Sequence, residues 1–323
     1  MPTPDGNNVM IGVTGPLRQS LLRYGTINVV FKGKTGRSLK GQNGSDVKLR
    51  TYHQAMHEEK IKEAARFLKE KTGFEPEVGI ILGTGLGGLT EHIDTQHVVE
   101  YTDIPDFPVS TVEGHKGKLI FGRLGGRKVV AMQGRFHYYE GYEMWQVTFP
   151  VRVMKLLGIQ YLFVSNASGG INSTFSIGDL MVIDDHINLI PNPLIGPNDK
   201  QWGPRFPDMS EPYNSELIRK ATYVAEKEGI KLQYGCYVGT TGPTFETPRE
   251  YGYFRAIGGD AAGMSTTPEV IAARHMGIPV FGVSIITNLG FSGVKNSHTD
   301  VQAEGAKAEK RMTKLFIGLL ENI

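Results

Sequence analysis

The sequence predicts an α/β fold: a single catalytic domain in which a central mixed β-sheet is flanked by helices. Three observations predict it. Short β-branched apolar runs alternate with amphipathic helical stretches, glycines mark many junctions, and no internal repeat or linker interrupts the pattern after Met56. Alternation of this kind gives a mostly parallel or mixed sheet covered on both faces.

The elements follow in chain order. Residues 1–55 are rich in Gly, Asn, Ser and Lys and read as a poorly ordered N-terminal extension; the apolar stretch 27–31 within them has no evident strand partner. The catalytic domain is expected over residues 56–323. Ile61, Ala64, Ala65 and Leu68 fall at helical spacing and Gly73 follows as a stop, after which 78–82 has the continuous apolar character of a buried strand. Further strands are expected at 119–124, 129–132, 161–164, 180–183, 234–238 and 280–286. Helices are expected at 145–157, 215–228, 247–257 and 267–275, with a long C-terminal one from about Thr299. Sheets of this class bind ligands at the carboxyl ends of their strands.

Composition excludes several functions. Hydrophobic residues make up 40% and charged residues 21%, and no apolar run reaches the ~18 residues of a membrane-spanning helix. The single cysteine, Cys236, cannot form an internal disulfide, so cytoplasm is the expected compartment. Residues 1–50 hold eight Lys or Arg against two Asp or Glu; the remainder holds 27 basic against 31 acidic residues. The body therefore lacks the positive excess of a nucleic-acid binder.

Polar motifs stand where strands end. Gly83-Thr84-Gly85-Leu86-Gly87-Gly88 follows the first strand, and its glycines allow a sharp turn whose N–H groups, with the Thr84 hydroxyl, can face phosphate. The same spacing fits a ligand-free turn or a dinucleotide-binding loop. Gln133-Gly134-Arg135-Phe136-His137-Tyr138-Tyr139-Glu140 follows another strand: Arg135 offers a planar fork for an anion with His137 on the same side, or else merely pairs with Glu140. Ser165 to Gly170 are small enough to admit a flat group, and Phe245 beside Glu246 sets an aromatic face next to a carboxylate. Met264, Ser265 and Thr266 precede a helix, where either hydroxyl could serve as a cap, and Thr287-Asn288 ends the last strand.

Taken together these residues resemble the trimeric purine nucleoside phosphorylases. The matching motifs run in order: Val112-Glu113-Gly114-His115, Gln133 to His137, Thr148-Phe149-Pro150-Val151-Arg152, Asn166 to Gly170, Asp185-His186-Ile187-Asn188-Leu189, Gly196-Pro197-Asn198-Asp199, Gly242-Pro243-Thr244-Phe245-Glu246-Thr247, Gly263-Met264-Ser265-Thr266 and Thr287-Asn288. The likeness covers about Met56 to the C-terminus. It implies the nucleoside phosphorylase fold, a homotrimer, and phosphorolysis of inosine, guanosine and their deoxy forms to free base and (deoxy)ribose 1-phosphate in purine salvage. Inorganic phosphate would be co-substrate, with no other cofactor and no metal. By the same resemblance Thr84, His115, Arg135, His137, Ala167 and Ser265 would hold phosphate. Tyr139, Met264 and His298 would hold the ribose, together with Phe206 from the neighbouring subunit. Phe245, Glu246 and Asn288 would hold the purine, alongside Ala167, Ser168 and Gly169, with Asn288, Glu246 and His137 serving catalysis.

The residue types suit that chemistry. Breaking the C1′–N9 bond leaves cationic character on the sugar and negative charge on the purine. Asn288 can donate to N7 as it gains charge, and Glu246 can accept from the N1–H of a 6-oxopurine, whereas adenine would turn an acceptor toward it. Related methylthioadenosine phosphorylases carry an acidic residue in place of Asn288 and lack His298. Departures from the family pattern are Thr84 for a serine, Ser168 for an alanine, a shorter loop at 189–196 and the N-terminal extension.

Two other classes compete. A nicotinamide-dependent oxidoreductase would need an acidic residue closing a second strand ~20 residues past the glycines. Asp103 and Asp106 lie near that distance, but 104–108, with two prolines, does not read as a buried strand. A purine-binding sensor would have no use for the phosphate residues.

Overall fold

The computed structural model describes residues 42–111, 116–291 and 297–323, with side chains described from residue 55 onward. His115 and the stretch 27–31 lie outside the described residues. Residues 49–323 form one compact unit. The first helix, α1 (Gln42–Thr72), begins ahead of the expected boundary at Met56. It ends where Gly73, at φ 59°, donates its N–H to the Lys69 carbonyl.

The described strands form one mixed sheet. They are β1 (Val78–Leu82), β2 (Asp94–Glu100), β3 (Lys118–Leu124), β4 (Arg127–Gln133), β5 (Tyr161–Gly170), β6 (Leu180–Asn188), β7 (Leu232–Gly239), β8 (Ala261–Gly263) and β9 (Val280–Leu289). Their order is β2-β3-β4-β1-β5-β8-β7-β6-β9, and β9 also pairs with β5, so the second half closes into a ring of strands. β1 is parallel to both β4 and β5, while the β2-β3-β4 edge is antiparallel.

Side chains alternate across the sheet as a period of two requires. Ile81, Val130 and Met132 turn to the face covered by α1, by α3 (Phe149–Leu157) and by α6 (Thr267–His275). Ile80, Val129 and Ala131 turn to the face covered by α4 (Ser215–Glu228) and α7 (His298–Glu321). Two-sided burial explains why these strands read as continuous apolar runs.

Three differences from the sequence expectation have local causes. β2 is a mostly exposed edge strand of polar composition, so it carries no apolar run, and β8 is only three residues long. The helix expected at 145–157 breaks at Thr148 into α2 (Met144–Val147) and α3, because Pro150 has no N–H to give to a continuing helix. β5, β6 and β9 run beyond their expected ends, carrying Ser165–Gly170, Asp185–Asn188 and Thr287–Asn288 on strands rather than loops. No helix among the described residues is long and apolar enough to cross a membrane.

Candidate active site

A gap in strand pairing creates the site. Along one edge of β5, pairing with β1 reaches Val164 and pairing with β8 begins at Gly169. Between them Ser165–Ser168 have no strand neighbour on that side among the described residues, and a cleft of about 340 Å³ opens there. Thr84, Arg135, His137, Tyr139, Ala167, Ser168, Gly169, Phe245, Glu246, Met264, Ser265, Asn288 and His298 all line it. Thirteen residues expected from sequence thus meet in one cavity. Phe206 is not among them; it stands 87% exposed.

At one end lies a cationic, hydroxyl-rich corner. Gly83 must be glycine here, because a Cβ would stand 2.8 Å from Asn166 Cα and the Ser165 carbonyl oxygen. That close approach seats the Thr84 loop against β5. Arg135, only 1% exposed, is held by protein along its edges. Its Nη1 donates to Ser265 Oγ at 2.7 Å and to Thr266 Oγ1 at 2.9 Å. Nη2 donates to the Ser165 carbonyl at 2.8 Å, and Nε lies 3.5 Å from the buried Glu269 carboxylate in the first turn of α6. Arg135 therefore pairs with Glu269 and not with Glu140, so the simple surface pairing considered for it does not occur. Its fork is turned to protein acceptors, which presents Ser265 to the cleft more directly than the guanidinium itself.

Thr266 is the strained member of this corner. A β-branched residue at φ 71° is a conformational outlier that its surroundings must hold in place. Its hydroxyl accepts from both Arg135 and the Asn166 amide, at 2.9 and 2.8 Å. It occupies the N-cap position of α6 without making a side-chain cap bond, so the capping role considered from sequence is not the one it plays.

His137 and Glu140 close a tight turn after β4. Glu140 Oε1 accepts from the His137 backbone N–H at 2.8 Å and lies 3.0 Å from His137 Nδ1. Thr111 donates to Oε2 from both its N–H and its hydroxyl, each at 2.7 Å. Burial pushes Glu140 toward the acid form, but these bonds outweigh it and hold its pKa down at about 2. Burial lowers the pKa of His137 despite the carboxylate. A neutral imidazole whose Nδ1–H faces Glu140 leaves Nε2 as an acceptor. Tyr139 stacks on His137 with ring centroids 4.7 Å apart, and burial, then Glu140, pushes its phenol up to about 12.

At the other end three polar groups meet over a glycine. Glu246 accepts from Thr240 Oγ1 at 3.2 Å and from Tyr251 Oη at 3.0 Å. Tyr251 Oη in turn accepts from Asn288 Nδ2 at 3.4 Å, while the one Thr287 hydroxyl proton lies between the Ser168 carbonyl at 3.2 Å and Asn288 Oδ1 at 3.3 Å. A Cβ on Gly169 would fall 2.5 Å from the Tyr251 hydroxyl and 3.0 Å from Asn288 Nδ2, so the bare backbone is what lets them converge. Phe245, 39% exposed, walls this end. Ser168 turns its hydroxyl to Ser284 at 2.6 Å, and Ser284 donates to Asn166 Oδ1 at 2.5 Å, which fixes the Asn166 amide from behind.

Sequence reasoning missed Tyr251 and Glu269, and considered Thr266 only as a helix cap. Tyr251 and Glu269 sit inside helices, α5 (Pro248–Ala256) and α6, where an aromatic or acidic residue at that spacing carries no signal of its own. Glu269 could have been suspected as an acidic residue directly ahead of the apolar run 270–273.

The model of the phosphorylase superfamily matches residues 77–321. The chain is 56% identical to purine nucleoside phosphorylase 1 of Geobacillus stearothermophilus over 83% of its own length and 99% of the relative's. It is 48% identical to the mouse purine nucleoside phosphorylase over 80% and 93%. Among solved structures it resembles the Schistosoma mansoni purine nucleoside phosphorylase in complex with inosine, at 44% identity and TM-score 0.78, covering 82% of this chain and 96% of that one. Schistosomal enzymes have also been solved with guanosine and with adenosine.

Proposed function

The chain belongs to the phosphorylase superfamily, among its purine nucleoside phosphorylases, and from that membership we propose how its own residues carry out phosphorolysis of 6-oxopurine nucleosides. The reaction takes inosine or guanosine and phosphate to the free base and ribose 1-phosphate. The observation that carries the assignment of roles is that the Arg135–Ser265 corner and the Glu246–Asn288 pair line one continuous cleft.

Phosphate sits at the corner of Thr84, Ser265, His137 and the Ala167 backbone; His115, outside the described residues, is assigned to it by the family resemblance alone. Ser265 Oγ accepts from Arg135 and so keeps its proton to donate to a phosphate oxygen, while the guanidinium supplies charge from behind. His137 Nε2, held as an acceptor by Glu140, accepts a hydrogen bond from a hydroxyl of phosphate or ribose. Tyr139, Met264 and His298 line the same cleft and hold the sugar.

The base lies against Phe245 and the small residues of β5. Glu246 accepts from N1–H, and Asn288 donates to N7 as the C1′–N9 bond breaks and its electron pair moves onto the purine. A phosphate oxygen forms the new bond to C1′. Tyr251 aligns both readers, because one hydroxyl donates to Glu246 and accepts from Asn288. Donors preorganised in this way toward developing charge are commonly worth ~3 kcal/mol each. Adenine would set its N1 lone pair against the Glu246 carboxylate, and the preference appears in kcat/KM; that a schistosomal relative is solved with adenosine concerns binding. The reading needs no metal or cofactor beyond phosphate. We propose further that it works in the cytoplasm as a homotrimer in which the exposed Phe206 reaches a neighbour's sugar site.

The direct test is initial-rate release of hypoxanthine from inosine by the pure protein, with and without phosphate. Turnover that depends on phosphate is expected. No turnover, or equal rates without phosphate, overturns the assignment.

A further inference from the structure

One face of α7 lies along the glycine loop. His298, Gln302, Gly305 and Glu309 recur at i, i+4, i+7 and i+11, which places them on a single stripe of the helix. His298 lines the cleft and hydrogen-bonds to the Gln302 side chain at 3.1 Å. A Cβ on Gly85, whose φ is 74°, would stand 2.9 Å from the Gln302 carbonyl oxygen, and one on Gly305 would stand 3.4 Å from that of Thr84. Helix and loop therefore touch backbone to backbone.

Glu309 fastens the far end of this contact. The loop runs into a short 3-10 turn, Gly87–His92, whose N-cap, Leu86, makes no side-chain cap bond. Its leading N–H groups need acceptors. Leu89 N–H donates to Glu309 Oε1 at 3.0 Å, and the Gly88 N–H bonds to the same carboxylate. A Cβ on Gly88 would stand 2.6 Å from Glu309 Oε2, so glycine is required for the carboxylate to come this close.

We infer that Glu309 is a positioning residue for phosphate: it clamps the turn after the glycine loop to α7 and thereby fixes where Thr84 stands in the cleft. The inference rests on the reading that the Thr84 loop holds phosphate. Glu309 itself touches no substrate. Its effect belongs on phosphate affinity, because the turn it holds leads directly into the loop, whereas Glu246 and Asn288 are carried by other elements.

The test uses the full chain and initial rates with phosphate and inosine varied in turn. For Glu309→Ala, KM for phosphate rises about tenfold, the scale of losing a charged hydrogen bond, with kcat and KM for inosine within about twofold of the parent. Glu309→Gln keeps one acceptor oxygen but turns a donor toward the second N–H, and restores KM partway. Gly88→Ala pushes the carboxylate away from the other side and raises KM for phosphate in the same direction. Adding Gly88→Ala to Glu309→Ala has little further effect, since the two act through one contact. Unchanged KM for phosphate in Glu309→Ala, an equal rise in KM for inosine, or full additivity of the pair overturns the inference. Thr84→Val separates this from the underlying reading: if it raises KM for phosphate and Glu309→Ala does not, only the positioning role fails. If neither moves it, the phosphate reading fails as well.

Discussion

At the scale of single residues, the base end of the cleft is a chain of hydrogen bonds in which each group's direction is set by the next. Thr240 and Tyr251 both donate to Glu246, so the carboxylate is held ready to accept, and the Asn288 amide donates to Tyr251 Oη, which sets the way it faces. Asn288→Asp replaces that donor with an acceptor that suits a protonated or 6-amino-bearing ring. The expected result is a fall of at least tenfold in the ratio of kcat/KM for inosine over adenosine, read from initial rates on both. An unchanged ratio would show that Asn288 does not read the base. Asn288 and Glu246 were legible as polar residues at a strand end and beside an aromatic ring. Tyr251 was not, because its role follows from a hydroxyl crossing from α5 to β9 over the bare backbone of Gly169.

At the scale of elements, α7 serves both stability and the site. Its middle and end bury Met312, Leu315, Phe316, Leu319 and Leu320 against the sheet, while its first turns carry His298 and line the glycine loop. Phe316 is fully buried and meets Phe163 and Phe281 edge-on, with centroids 5.5 and 6.0 Å away. Phe316→Ala should cost about 3–5 kcal/mol of stability, seen as a lower urea midpoint. A cost below ~1 kcal/mol would mean that α7 is not seated on the sheet as described. The helix itself was legible from its apolar spacing. Its contact with the loop was not, since glycines report where backbones approach only once the partner backbone is known.

At the scale of the whole molecule, the fold brings residues spread from Thr84 to His298 into one cleft, yet leaves Phe206 outside it and almost fully exposed. An aromatic ring in that position gains by burial against another surface. Phe206→Ala is expected to lower kcat/KM for inosine about tenfold with little change in thermal midpoint, and light scattering should give three times the 35.6 kDa chain mass. A fully active monomer would sink the shared-site arrangement.

The sequence by itself determined the elements and the chemistry. Apolar periodicity marked most of the strands and helices, because a two-sided sheet and its covering helices each demand a repeat that survives in one dimension. Ordered motifs marked the groups that line the cleft. What only the tertiary structure decided was pairing: that Arg135 answers to Glu269 rather than Glu140, that Thr266 is bent to an unfavourable φ, that Tyr251 joins two readers and that α7 grips the glycine loop. The Arg135–Glu269, Tyr251–Asn288 and Glu309–Leu89 contacts join residues far apart in the chain. Their meeting is set by the gap along β5 and by how closely glycine lets two backbones approach, and neither distance has a counterpart in the order of residues.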